Sequence, residues 1–71
     1  MENFVTAGKM MVDFAWRYAE PNDVESFWKI ARSIDATIIK MRKKRELTVT
    51  EYMELMNYSS DVRDEYAEIL L

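Results

Sequence analysis

The sequence predicts an all-α fold, a compact bundle of three or four short helices in one domain over residues 1–71. Three observations predict it. The chain has one glycine and one proline in 71 residues, too few turn residues for a sheet protein with many hairpins. Its apolar residues recur at helical steps of three and four. Two segments, "NDVE" and "TVTE", carry the residue pair of a helix-capping box.

The first helix is predicted over residues 2–20, before Pro21. On a helical wheel its charged side chains and one threonine lie within an arc of about 80°. Most of the remaining circumference is apolar, whereas a surface helix usually shows an apolar stripe of about 100°. We therefore expect this helix to be covered by its own neighbours on both flanks or by a second chain. The second reading favours an intertwined or side-by-side homodimer with helix 1 at the interface.

The second helix is predicted to begin at "NDVE", where Asn22 is the expected cap and Glu25 its box partner. Its apolar residues follow alternating steps of three and four, which is typical of a helix packed along a partner. They are Val24, Phe27, Ala31, Ile34, Ile38 and Met41. Trp28 and Ile39 lie off this seam, on a secondary face.

A third helix is predicted from Thr48, which forms the second capping box with Glu51. Its inward face is expected to carry Val49, Tyr52, Met53 and Met56. The apolar face then drifts by roughly a quarter turn across residues 57–60, which favours a break there over a continuous helix. In the resulting fourth helix, the residues expected inward are Val62, Tyr66, Ile69 and Leu70.

Charge is distributed unevenly, although the formal net charge is only −3. Residues 46–71 carry seven acidic side chains against Arg63 alone. The end of helix 2 carries a basic segment, residues 40–45, with Lys40, Arg42, Lys43, Lys44 and Arg45. Cations there are stabilised by the helix dipole, and pairing with the acidic C-terminal residues of the same or a partner chain is favoured. Contact with nucleic-acid phosphates is the alternative.

The stretch "LTVTEYMELMNYSSDVRDEYAEIL", residues 47–70, resembles the helix-turn-helix of excisionase-like and MerR-like DNA-binding proteins. It shares their "LTV.E" opening, short first helix and serine-containing turn. The resemblance implies that the last helix enters the DNA major groove. The sequence departs from the pattern at Asn57, where glycine is usual, and in a last helix with four carboxylates, which DNA phosphates would repel. The function of reading the DNA sequence would then be lost, or the basic segment would have taken over DNA binding.

The residue types of most catalytic and metal chemistry are missing. Without cysteine or histidine the chain has no disulfide, thiolate nucleophile, serine triad or zinc-finger ligand set. Its one glycine, Gly8, lies inside helix 1 and forms no phosphate-binding loop. With Ala7 and Ala15, Gly8 instead predicts a small-residue patch for close helix contact. We therefore expect no enzyme and no cofactor or metal.

These observations favour a small non-enzymatic regulatory or adaptor protein that binds another protein and modulates it as a homodimer. Aromatic residues and adaptable methionines are typical interface anchors. The anchors expected here are Met10, Trp16, Tyr18 and Trp28. An acidic rim is expected from Asp61, Asp64, Glu65 and Glu68. The rival is a nucleic-acid-binding protein that uses residues 40–45 beside the helix-turn-helix-like segment 47–70.

A cytoplasmic location without a membrane partner is also expected. No stretch approaches the roughly 18 uncharged apolar residues of a membrane span. The acidic start of the chain does not resemble a secretory signal.

Overall fold

A computed structural model describes residues 3–70, which form three α-helices in a compact bundle. The helices are α1 (Phe4–Ala19), α2 (Val24–Lys43) and α3 (Val49–Leu70). This architecture confirms the all-α prediction. Because the two connections are short, consecutive helices are antiparallel, and α1 and α3 are parallel. One end of the bundle therefore holds the start of α1, the end of α2 and the start of α3.

The helix starts follow local capping chemistry. The box predicted for α3 is confirmed: the Glu51 N–H donates to Thr48 Oγ1 at 3.1 Å, and the Thr48 N–H donates to Glu51 Oε1 at 2.8 Å. At α2 the cap is Asp23 and not the predicted Asn22. The Asp23 carboxylate accepts from the Ser26 N–H at 2.7 Å. A charged cap gains additionally from the helix dipole, and the hydrogen bonds from Ser26 lower the pKa of Asp23.

The ends of α1 and α2 place charged residues in the left-handed conformation. Glu20 has φ 41° and Arg45 has φ 60°. The Glu20 N–H donates to the Trp16 carbonyl at 3.1 Å, and the Glu46 N–H donates to the Met41 carbonyl at 3.0 Å. These bonds satisfy the last carbonyls of each helix, in turns where glycine is usual. A side chain at such a position costs roughly 1–2 kcal/mol.

α3 is continuous through residues 57–60, so the predicted break is wrong. Polar side chains of this segment bond to the neighbouring helices. The Tyr58 hydroxyl donates to Asp13 on α1, with oxygen distances of 2.8 and 2.9 Å. The buried Ser59 hydroxyl donates to Asp35 on α2 at 3.4 Å. Because these groups find partners across the bundle, no turn is needed to expose them. The two helices and turn of the resemblance are not formed.

The core is one apolar cluster at the centre of the three helices. Its buried members are Val5, Val12, Trp16, Phe27, Ala31, Ile34, Ile38, Leu47, Leu55 and Val62. The middle of the predicted α2 seam is confirmed, whereas Val24, in the first turn of α2, is half exposed. Fully burying each large side chain contributes about 1.5–3 kcal/mol before entropy costs.

The inward line of α3 is confirmed at Val62, Tyr66 and Leu70, which lie in or against the core, and differs from the prediction elsewhere. Val49, Met53 and Ile69 are exposed, while Leu55, which was not expected inward, is fully buried. The reason is the position of α3 in the groove between α1 and α2. The side chains that face both neighbours run through Leu55 and Ser59, a quarter turn away from the face predicted for residues 49–56.

Gly8 lets α3 approach α1 closely, as predicted, whereas Ala7 of the same predicted patch is exposed and Ala15 lines an open groove. A Cβ placed on Gly8 would lie 3.1 Å from Leu55 Cδ1 and 3.3 Å from Leu55 Cγ, and closer still to Leu55 Cδ2. Glycine inside a helix costs about 1 kcal/mol relative to alanine. The contact with Leu55 is the packing reason for accepting that cost.

Candidate protein-binding surface

α1 carries apolar side chains on the side that faces away from α2 and α3. Met10, Phe14 and Tyr18 follow one another at steps of four and lie on one line along the helix. They are 55%, 47% and 83% exposed. These three residues are the outer stripe. The neighbours of α1 cover its inner side only, so folding leaves the outer stripe in contact with water.

The two aromatic rings of the outer stripe contact each other. The rings of Phe14 and Tyr18 stack with centroids 6.1 Å apart and planes inclined by 28°. The Arg17 guanidinium lies 6.0 Å from the Phe14 ring centroid. An exposed cation–π contact of this kind contributes about 0.5–1 kcal/mol. Both rings are therefore positioned before any partner binds, which lowers the entropy cost of binding.

An apolar groove of about 350 Å³ runs beside the outer stripe, between α1 and α2. Its walls are formed by Ala15, Ala19, Lys29, Ile30, Ser33 and Ile34. Ala15 and Ala19 follow Phe14 and Tyr18 in the chain, so the groove opens about 100° around α1 from the two rings. The small side chains among these walls leave the space open, and the lining suits an apolar or aromatic side chain.

Of the four predicted anchors, Trp16 is a core residue. Its side chain is 1% exposed, and its ring stacks on Tyr66 with centroids 5.2 Å apart. Phe27 packs against it at 5.1 Å. The role of surface anchor therefore does not apply to Trp16. Its buried Nε1–H has no hydrogen-bond partner among residues 3–70, which costs about 1–3 kcal/mol.

Phe14 was missed among the anchors although its spacing could have identified it. It lies four residues after Met10 and four before Tyr18, both of which are predicted anchors. Apolar residues surround so much of α1 that the wheel alone does not separate the inner from the outer side. Residue type favours Trp16 as an anchor, whereas the structure places Phe14 on the outer line.

Trp28 lies apart from the outer stripe. The residue is 44% exposed, and its ring lies nearly perpendicular to the Phe27 ring with centroids 5.1 Å apart. Trp28 and the groove residue Ile30 are two positions apart and so point to nearly opposite sides of α2. The structure therefore places this predicted anchor on a different side of the bundle from the groove.

The acidic rim lies along exposed positions of α3. Asp61 and Glu65 line a polar groove of about 460 Å³ between α1 and α3, together with Asp13 and Tyr58. The Asp13 carboxylate raises the pKa of Tyr58 by accepting its proton in a hydrogen bond, and burial and the charges of Asp13 and Glu65 add to the effect. Among residues 3–70, the structure shows no group of three or more acidic residues arranged to hold a metal ion.

The basic segment is only partly used by the fold. Arg42 Nη1 donates to the Leu47 carbonyl at 3.1 Å and so ties the end of α2 to the residues just before α3. The side chains of Lys40, Lys43, Lys44 and Arg45 are exposed. These four cations, at the end of the bundle where α3 begins, are available to an external anion.

Pairing between the basic segment and the acidic rim of the same chain is not formed. Within residues 3–70 the ion pairs are Lys9 with Glu54 at 3.9 Å and Arg63 with Asp64 at 3.5 Å. The reason is the continuity of α3. At 1.5 Å per residue it carries the acidic rim roughly 18 Å or more along the bundle from its first residue.

No protein-family model, curated protein or solved structure matches the chain. None of the helices within the described part, residues 3–70, combines the length and the apolar character needed to cross a membrane. The function is therefore inferred from the exposed residues of the chain itself.

Proposed function

We propose that the protein is a small non-enzymatic regulatory or adaptor protein that binds another protein, modulates it and acts as a homodimer. The observation that carries the proposal is the outer stripe of α1. Contiguous apolar surface on a small soluble domain marks an interaction site. Two of its three side chains are aromatic, the class that dominates interface energetics.

Trp28 on α2 and the acidic rim on α3 are two further exposed features that a protein partner can contact. Trp28 is a large, half-exposed aromatic side chain on α2. The four carboxylates of the acidic rim favour a partner with a basic surface, since complementary charge raises the association rate and selects among partners. With the outer stripe used for self-association, we expect Trp28 and the acidic rim to meet the regulated protein. Because a dimer presents each of these features twice, loss of the dimer should weaken capture of that protein.

Capture of partners from a lysate of the native host tests the proposal with matched baits. Met10 and Met53 are exposed to 55% and 59%, but only Met10 belongs to the outer stripe. We expect the wild-type and Met53→Glu chains to retain the same specific protein and the Met10→Glu chain to retain much less. Recovery of nucleic acid with no specific protein would overturn the proposal.

The second candidate function is binding of nucleic acid through the basic segment. The exposed cations Lys40, Lys43, Lys44 and Arg45 favour it, because neutralising phosphates supplies most nonspecific affinity. Gel-shift titrations with duplex and single-stranded DNA at low and moderate salt test it. Salt-sensitive binding that is lost when residues 43–45 are changed to alanine would favour this candidate. Absence of binding at low salt would remove it.

A further inference from the structure

We infer that the outer stripe is covered by the outer stripe of a second copy of the chain, packed antiparallel about a two-fold axis near Phe14. This inference rests on the proposed function, because it names the occupant and the orientation of a surface assigned there. The spacing of the stripe, the distribution of charge along the bundle and the adjacent groove lead to it.

The spacing of the outer stripe suits a two-fold axis. Met10 and Tyr18 lie four residues before and four residues after Phe14. When the helix direction is reversed, Met10 faces Tyr18 of the second copy and the two Phe14 rings meet at the axis. A two-fold interface of this kind is closed, because each copy presents the same patch to the other.

Charge decides between antiparallel and parallel packing. The half of the bundle formed by residues 3–11 and 34–59 carries six basic and four acidic side chains. The other half, residues 12–33 and 60–70, carries four basic and eight acidic side chains. α1 runs from the first half to the second. Antiparallel packing therefore sets each net basic half beside a net acidic one, whereas parallel packing sets the two acidic halves together, which is unfavourable.

The size of the surface predicts a weak dimer. At 47% and 83% exposure, Phe14 and Tyr18 present roughly 200–300 Å² of ring surface. The groove walls add apolar surface on the same side of α1, where a side chain of the second copy can enter. A standard interface buries about 800 Å² on each partner. We therefore expect dimers that form at micromolar concentrations and separate on dilution.

Cysteine cross-linking tests the inference, because the chain has no cysteine of its own. A disulfide needs Cα atoms about 4.4–6.8 Å apart. In the antiparallel dimer the two copies of position 10 lie about 12 Å apart along the helix axis, while position 10 of one copy faces position 18 of the other. Under mild oxidation Phe14→Cys should cross-link with itself. Met10→Cys mixed with Tyr18→Cys should give the mixed dimer.

Three further samples control the experiment. Met10→Cys alone should cross-link poorly, and Asn57→Cys, at an exposed position of α3, should not cross-link. Circular dichroism should show unchanged helix content for every variant. Efficient self-linking of Met10→Cys without the mixed dimer, or no cross-link in any sample, would overturn the inference. If the cross-linking contradicts the antiparallel dimer but a specific protein is still captured, the proposed protein-binding function stands. Failure of the dimer and failure of protein binding are therefore distinguishable.

Discussion

α1 and α2 are neighbouring helices of one bundle, but their outward sides differ. α2 buries its apolar seam and turns charged residues such as Lys29, Arg32 and Lys40 to water. α1 buries a comparable inner side and also turns the three apolar residues of the outer stripe to water. Folding therefore explains most of the sequence of α2, apart from exposed apolar residues such as Trp28 and Ile39, but only half of that of α1. The residues that the fold leaves unexplained are the ones to examine for function.

The largest expected effect contrasts the two helices directly. Ile38→Ala removes a fully buried side chain of α2 and should lower the free energy of unfolding by roughly 2–5 kcal/mol. Phe14→Ala, measured at low concentration, should change it by only about 0.5 kcal/mol, as at other surface sites. Urea unfolding followed by circular dichroism measures both. Equal losses of stability in the two variants would contradict this contrast, because Phe14 would then contribute to stability as a core residue does.

A double-mutant cycle between Gly8 and Leu55 tests the close packing on the inner side of α1. Gly8→Ala gains about 1 kcal/mol of helix propensity, but its Cβ collides with Leu55, and overpacking costs about 1–3 kcal/mol. We expect a net loss of stability in the wild-type chain. In a Leu55→Ala background the collision is gone, and the same change should stabilise. The same sign in both backgrounds, measured by urea unfolding, would contradict the close contact.

The free energy of unfolding should depend on pH through Tyr58 of α3, whose hydroxyl donates to Asp13 of α1. The raised pKa of Tyr58 means that the folded state favours the neutral phenol, which donates to Asp13. This contribution to the free energy of unfolding is present below the ordinary value of 10.0 and is lost as the pH rises through the folded-state pKa. Tyr58→Phe should cost about 1 kcal/mol at neutral pH and flatten the alkaline decline. Thermal unfolding across this range measures it, and an unchanged decline would argue against the bond.

The smallest expected effect concerns the helix ends. Arg45→Gly removes the strain of a side chain at φ 60° and should raise the free energy of unfolding by about 0.5–1 kcal/mol. Arg45→Ala, the matched control, removes the same charge but keeps the Cβ, so it should give no such gain. If urea unfolding shows an equal rise in the free energy of unfolding for both variants, then charge repulsion within the basic segment, and not backbone strain, limits stability there.

Local sequence patterns were sufficient to predict the parts of the fold that depend on few residues. The capping box of Thr48 and Glu51, the middle of the α2 seam and the close contact at Gly8 are of this kind. The continuity of α3 was mispredicted because it depends on two distant partners. Asp13 and Asp35 accept the hydrogen bonds that keep its polar middle segment helical.

The prediction of anchor residues failed at Trp16 for a similar reason, since packing between helices decides which side chains are exposed. Residue type and a wheel that is apolar nearly all round favoured Trp16, and only packing decides that Trp16 turns inward while Phe14 turns outward. The exposure of Met10 and Tyr18 follows from the same packing. Their part in binding a second copy or another protein stays a prediction.

The most direct test is the solution mass of the unmodified chain, measured by light scattering from low to high micromolar concentration. We predict a concentration-dependent rise from the 8.5 kDa chain mass to twice that value. Met53→Glu should show the same rise, and Met10→Glu should stay at the chain mass with unchanged helix content. A wild-type chain that remains at 8.5 kDa throughout would contradict the assignment of the outer stripe to a second copy.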